Sequence, residues 1–183
     1  MRTVVVYESM YGNTHLVADE VAAGIRDVTG PEVVVVPVDE ADAALLDGID
    51  LLVVGGPTHV HGMTRESTRK AAVEAADKEG SGLTVDPDAE GPGLREWFDA
   101  LGDLSVRAAA FDTRMDAPAA VTGRASKGIG KRLRRHGCAL VVQPQSFLVT
   151  KQNRLVDHEA AHARDWGAWV ARASVGAVDA PAI

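Results

Sequence analysis

A single cysteine in 183 residues removes several chemistries at once. Cys138 has no partner for an intramolecular disulfide and no companion thiolates with which to hold zinc or an iron–sulfur cluster, so it reads as a core thiol. Aromatic residues make up only 4% of the chain, while small Ala and Val supply much of the 46% that is hydrophobic. Packing must therefore rest on small side chains and close helix-to-sheet approach. No apolar run nears the roughly 18 residues of a membrane-spanning helix. The chain opens on strand-like residues 2–7 rather than on a leader, which gives the expectation of a cytoplasmic protein. At a formal charge of −7 it also lacks the cationic excess that grips a phosphodiester backbone, which argues against nucleic-acid binding. An acidic surface suits a basic protein partner, or simply keeps the protein soluble.

What is present is a regular alternation. Short apolar runs at residues 4–7, 33–36, 51–54, 106–111 and 139–142 read as buried strands, separated by segments of helical spacing. Val17, Val21, Gly24, Ile25 and Val28 mark the first helix, which Gly30-Pro31 stops. Further helices are expected over 64–78, with Thr64 as cap, and over 94–101, 123–136 and 159–173, the last packing Trp166, Trp169 and Val170 on the sheet. Pro144 interrupts the last strand region, so residues 146–149 either resume it after a bulge or extend an edge. The pattern predicts one three-layer α/β/α domain over residues 1–175, with a five-stranded parallel sheet and a frayed tail over 176–183. Right-handed crossovers then place any ligand beyond the carboxyl ends of the strands.

Three segments fall at those ends. The first, Ser9-Met10-Tyr11-Gly12-Asn13-Thr14, joins a buried strand to an amphipathic helix. Free N–H groups at the helix start, the helix dipole and the hydroxyls of Ser9 and Thr14 suit a phosphate without any Lys or Arg, and Gly12 lets the backbone approach. The plainer alternative is a helix cap at Asn13 or Thr14 with no ligand. The second segment, Pro57-Thr58-His59-Val60-His61-Gly62, offers backbone groups and two histidines, which are either plain surface residues or proton donors, His61 being the candidate. No third ligand lies nearby for a metal. The third is Asp112-Thr113-Arg114-Met115.

At Ser9, Tyr11, Gly12 and Thr14 the chain resembles the flavodoxin family, whose phosphate loop has the form Ser/Thr-x-Thr/Tyr-Gly-x-Thr after the first strand. The Pro57-Thr58 segment with its Gly62 turn also looks like the related flavodoxin-like quinone reductases. The resemblance implies strand order 2-1-3-4-5 and one FMN, with its phosphate on the first segment and its isoalloxazine ring framed by the second and third. It implies electron transfer to a redox partner protein, or reduction of a small acceptor by NAD(P)H. The sequence departs from the family in offering neither Trp nor Tyr in the second and third segments to sandwich the ring. An open flavin face favours a stacking substrate over pure electron relay, and a flavin-free binding module is the third possibility.

Two further stretches stand out. Residues 79–93 are rich in Gly, Pro and acid and read as a long loop that either covers the site or is a solvated insertion. The stretch 124–136 carries Arg124, Lys127, Lys131, Arg132, Arg134 and Arg135 with no acid, either as a solvated helix face or as a patch for a partner or a nucleotide phosphate. Thr122-Gly123 through Gly130 imitates a dinucleotide loop but is one residue too long, and Ile129 stands where a P-loop needs Lys. It reads as a helix start.

Overall fold

Val4, Val5 and Val6 are all fully buried, which an extended segment achieves only when both faces of its sheet are covered. The computed structural model describes residues 1–59, 62–87, 89 and 91–176. Val60, His61 and residues 177–183 lie outside them, and with them the candidate proton donor and nearly all of the expected tail. In the sheet, β1 (Thr3–Tyr7) pairs in parallel with β2 (Val33–Pro37) and with β3 (Leu51–His59), setting Val5 beside Val35 and Val53. The end of β3 is met by an antiparallel two-residue strand, β4 (Gly62–Met63), through Thr58–Met63 and His59–Gly62 pairs. β5 (Arg107–Met115) runs parallel to β3 on its other side.

The fifth principal strand comes in two pieces, both parallel to β5. β6 (Ala139–Leu140) pairs with Arg107 and Ala108, and β7 (Gln145–Val149) pairs with 111–115. The interruption falls at residues 141–144, where Pro144 has no N–H to offer a ladder. Counted over principal strands, the order is the expected 2-1-3-4-5.

Alternation along the strands sends side chains into two separate cores. Val5, Tyr7, Leu51, Val53, Ala109 and Phe111 face α1 (Asn13–Thr29) and the C-terminal helix. Val4, Val6, Leu52, Val54, Ala108 and Ala110 face the opposite layer. There a short α2 (Ala43–Leu46) precedes α3 (Glu66–Ala76), α4 (Leu94–Ala100), a single-turn α5 (Ala119–Thr122) and α6 (Ala125–Arg135). Cys138 is buried in this second core, as its reading required. Neither α2 nor α5 was expected, because four residues carry too little periodicity to announce a helix.

α7 (Glu159–Gly176) crosses α1 at backbone contact. A Cβ at Gly24 would stand 1.9 Å from the Arg164 carbonyl oxygen, and one at Gly167 2.2 Å from that of Val21. Trp166 and Val170 enter the core as expected, but Trp169 is 51% exposed. The inward stripe of Ala163, Trp166, Gly167, Val170 and Ala171 leaves Trp169 at its edge. Thr64 does not cap α3 either: its hydroxyl donates to Glu8, and Arg65 takes the cap position. None of the helices among the described residues is long and apolar enough to cross a membrane.

Candidate functional site

Parallel topology brings the ends of β1, β3 and β5 to one edge of the sheet, and a cleft of about 280 Å³ opens there. The first wall is the turn into α1. Ser9, buried, accepts the Gly12 N–H at 3.1 Å and closes the turn. Gly12 holds a left-handed φ of 86°, a conformation that L side chains rarely adopt, and nothing lies within 4 Å of where its Cβ would be. The first helical bond runs from Leu16 N–H to the Gly12 carbonyl. α1 has no side-chain cap and no acid in its first turn, so the N–H groups of Asn13, Thr14 and His15 are left to an outside acceptor. The capping alternative at Asn13 or Thr14 is thereby replaced: Asn13 and Thr14 are helical, and their side chains turn elsewhere.

Thr14 Oγ1 lies 2.8 Å from Thr113 Oγ1, both buried. A hydroxyl pair of this kind satisfies one donor internally and keeps one proton for a further acceptor. Asn13 donates through Nδ2 to the Asn153 carbonyl at 3.1 Å and to its Oδ1 at 3.2 Å. Tyr11 donates its hydroxyl to the Ala72 carbonyl at 2.8 Å, and Met10 packs with Ala72 and Ala89. The long loop 79–93 is seated by the Asp86 N–H on the Met10 carbonyl at 2.9 Å, with His15 stacked on Tyr7 and its Nδ1 3.7 Å from Asp86. The loop thus braces the first wall from behind, and none of its described residues lines the cleft.

Over 57–59 and 112–115 the second and third segments are strands, paired with each other at Pro57–Thr113 and further held by β4 and β7. β3 and β5 stay in register through Gly56–Asp112 and Pro57–Thr113. Pro57, Thr58, His59, Thr113, Arg114 and Met115 line the cleft with Met10, Tyr11, Asn13 and Thr14. Thr58 Oγ1 accepts the Ala125 N–H at 2.9 Å, so it also serves the start of α6. Asp112 points away: fully buried, it accepts the Ser126 N–H at 2.7 Å and stands on the α6 side of the sheet. Ser9, Gly12 and Gly62 shape the backbone without lining the cleft, and Val60 and His61 lie outside the described residues.

Electrostatics at the cleft are those of a neutral floor with cationic edges. Burial pushes the His59 imidazole below its ordinary 6.5, so the ring is neutral at pH 7. Arg114 Nη1 is held by the Ala117 carbonyl at 2.6 Å, while its Nε is buried without a partner. An unpaired buried donor of this kind is costly unless an acceptor meets it. Directly before the first wall, Glu8 accepts from the Thr64 hydroxyl and from the Leu94 N–H at 2.9 Å. Burial nevertheless raises its carboxyl above the usual range, against the pull of those bonds and of Arg69.

Sequence reasoning missed a fourth wall. Val149 at the end of β7 and Thr150, Lys151 and Asn153 in the turn after it line the cleft. Its local signal is a polar Lys-Gln-Asn-Arg turn, but nothing local says that it folds back over Asn13. The basic stretch is partly structural: Arg124 bonds Ser146 Oγ and the Pro144 carbonyl, and Arg132 pairs with Asp99 at 2.6 Å.

The arrangement can take an anion at the open start of α1 and a planar group rich in acceptors between β3, β5 and Arg114. No curated protein matches the sequence. Among solved structures, flavodoxin 1 from Bacillus cereus is 20% identical, with a TM-score of 0.64 over 94% of this chain and 98% of that one. A WrbA-like flavodoxin from Agrobacterium tumefaciens is 22% identical, with a TM-score of 0.58 over 95% and 97%. The flavodiiron protein from Giardia intestinalis is 20% identical at a TM-score of 0.61, covering 98% of this chain and 38% of that one. These likenesses carry the fold. The flavodoxin family model matches residues 5–113, more than half of the chain and the stretch that supplies the turn into α1 and the ends of both lining strands through Thr113, so the chain belongs to the flavodoxin family.

Proposed function

We propose that the protein binds one FMN in this cleft and carries electrons on it for a redox partner. The observation that carries the reading is the uncapped start of α1, where three N–H groups, the open space at Gly12 and the Thr14–Thr113 hydroxyl pair together ask for an anion. Arg114, which lines the cleft, suits a flavin ring, which presents carbonyl oxygens and ring nitrogens as acceptors. Ser9 fixes the turn, Thr14 and the helix N–H groups hold the phosphate, and Pro57, Thr58, His59 and 113–115 wall the ring. FMN, when bound, supplies the reversible electron chemistry, and the protein supplies position and a low-dielectric surround. A neutral His59 adds no charge beside the ring.

The second reading, an NAD(P)H-dependent reductase of a quinone-like acceptor, is favoured by one observation. Tyr11 and His59 are the only aromatic rings among the described lining residues, and the Tyr11 hydroxyl is tied to Ala72. A flavin held with one face bare leaves room for a nicotinamide or acceptor to stack.

The test is the visible spectrum of purified protein before and after FMN addition, followed by gel filtration. Flavin that co-elutes and is reversibly bleached by dithionite supports the reading, and oxidation of NAD(P)H by the same sample moves it to the reductase. Protein that never retains flavin sinks both in favour of a flavin-free binding module.

A further inference from the structure

We propose that Lys151 is a phosphate-binding residue of the flavin nucleotide, its ammonium group pairing with the 5′-phosphate held at the start of α1. The inference rests on the FMN reading above and adds a residue from a wall that the phosphate-loop pattern does not contain.

The turn that carries Lys151 is built rather than loose. Val149 pairs across it with Leu155, the Thr150 N–H reaches the Arg154 carbonyl at 2.7 Å, and the Asn153 N–H reaches the Thr150 carbonyl at 3.0 Å. Asn153 takes the left-handed φ of 56° that tight turns need and Asn tolerates. The turn is then tied to the phosphate wall by the two bonds from Asn13 Nδ2. These bonds seat the turn against Asn13, and Lys151, two residues before Asn153, lines the same cleft as Asn13 and Thr14.

Charge completes the case. No described residue lining the cleft is acidic, and the Lys151 ammonium has no hydrogen bond or ion pair among the described residues. The other lining cation, Arg114, is engaged with Ala117. A phosphate dianion meeting only hydroxyls and the partial charge of a helix end keeps a net negative charge. One free ammonium at that edge offsets it, through a long stem that reaches without moving the backbone. Lys151 and Thr150 also line an outer groove with Ser81, Gly82, Gln152 and Arg154; the Arg154 side chain, equally without a partner among the described residues, lines that groove and not the cleft, which makes it a matched control.

The experiment titrates wild type, Lys151→Gln, Lys151→Arg and Arg154→Gln with FMN and with riboflavin, reading flavin fluorescence, and checks each variant by thermal melt. Lys151→Gln is expected to weaken FMN about tenfold, the order of one charge-assisted hydrogen bond. It should leave riboflavin unchanged, Lys151→Arg should restore most of the FMN affinity, and Arg154→Gln should bind FMN like wild type. An unchanged FMN affinity in Lys151→Gln, or equal losses for FMN and riboflavin, overturns the inference while leaving the FMN reading intact. Wild type that binds neither flavin overturns both.

Discussion

The hydroxyls of Thr14 and Thr113 meet at 2.8 Å inside the protein, joining the first turn of α1 to β5 across 99 residues of chain. Each was expected to serve a ligand, and each is first a partner to the other. Thr14→Val keeps the shape but strands the Thr113 hydroxyl, a loss of about 1 to 3 kcal/mol. The double variant Thr14→Val, Thr113→Val removes both polar groups together and should lose clearly less than the sum of the single losses. Urea denaturation of the four proteins checks this; strict additivity would show that the pair is not coupled.

Glu8 links stability to pH. Its folded carboxyl is raised above the ordinary 4.5, with burial the largest cause. The neutral form is therefore the one that the fold favours. Its contribution is complete below the unfolded value and is lost as pH rises through the folded one. Glu8→Gln keeps both bonds, with its carbonyl oxygen on the Leu94 N–H and its amide on the Thr64 oxygen. The melting temperature of the variant relative to wild type should climb as pH rises above the ordinary 4.5 and the raised wild-type carboxyl ionises. Parallel curves would remove Glu8 as the source.

Two helical glycines should respond to alanine in opposite directions. Alanine gains about 1 kcal/mol of helix propensity over glycine. At Gly167 the added Cβ would stand 2.2 Å from the Val21 carbonyl oxygen, and two packed backbones must part. Overpacking of this kind costs about 1 to 3 kcal/mol or more, so Gly167→Ala should lower stability. At Gly128 the nearest atom is the Met63 methyl at 3.4 Å, the mobile end of a flexible side chain. Gly128→Ala should raise the melting temperature slightly. Calorimetry of both variants decides, and a stable Gly167→Ala would refute the close crossing.

The extent to which the sequence foretold the site follows from which contacts are local. Buried valine runs and the Gly12 turn are local, so the strands and the turn into α1 could be read directly, whereas the sheet order came from the resemblance to the family. Pro144 marked the break between β6 and β7 for the same reason. Asp112 was expected at the cleft, and strand alternation from Phe111 turns its side chain with Ala110 to the α6 face. The extension of β3 to Pro57 depends on β5 extending beside it, and the fourth wall depends on Asn13 meeting Asn153 across 140 residues. Neither partner is visible in the local pattern.

His59 supplies the last test because it lines the cleft and its imidazole is shifted by burial. Burial lowers its pKa below 6.5, so the folded protein prefers the neutral ring. The stability this brings is present above the unfolded value and is lost as pH falls through the folded one. In an NMR titration the His59 ring signals should move only at a pH below 6.5, and His59→Gln should flatten the acid limb of the stability profile. A midpoint at or above 6.5 would mean that the ring is solvated or meets an anion, and the neutral wall beside the flavin site would have to be given up.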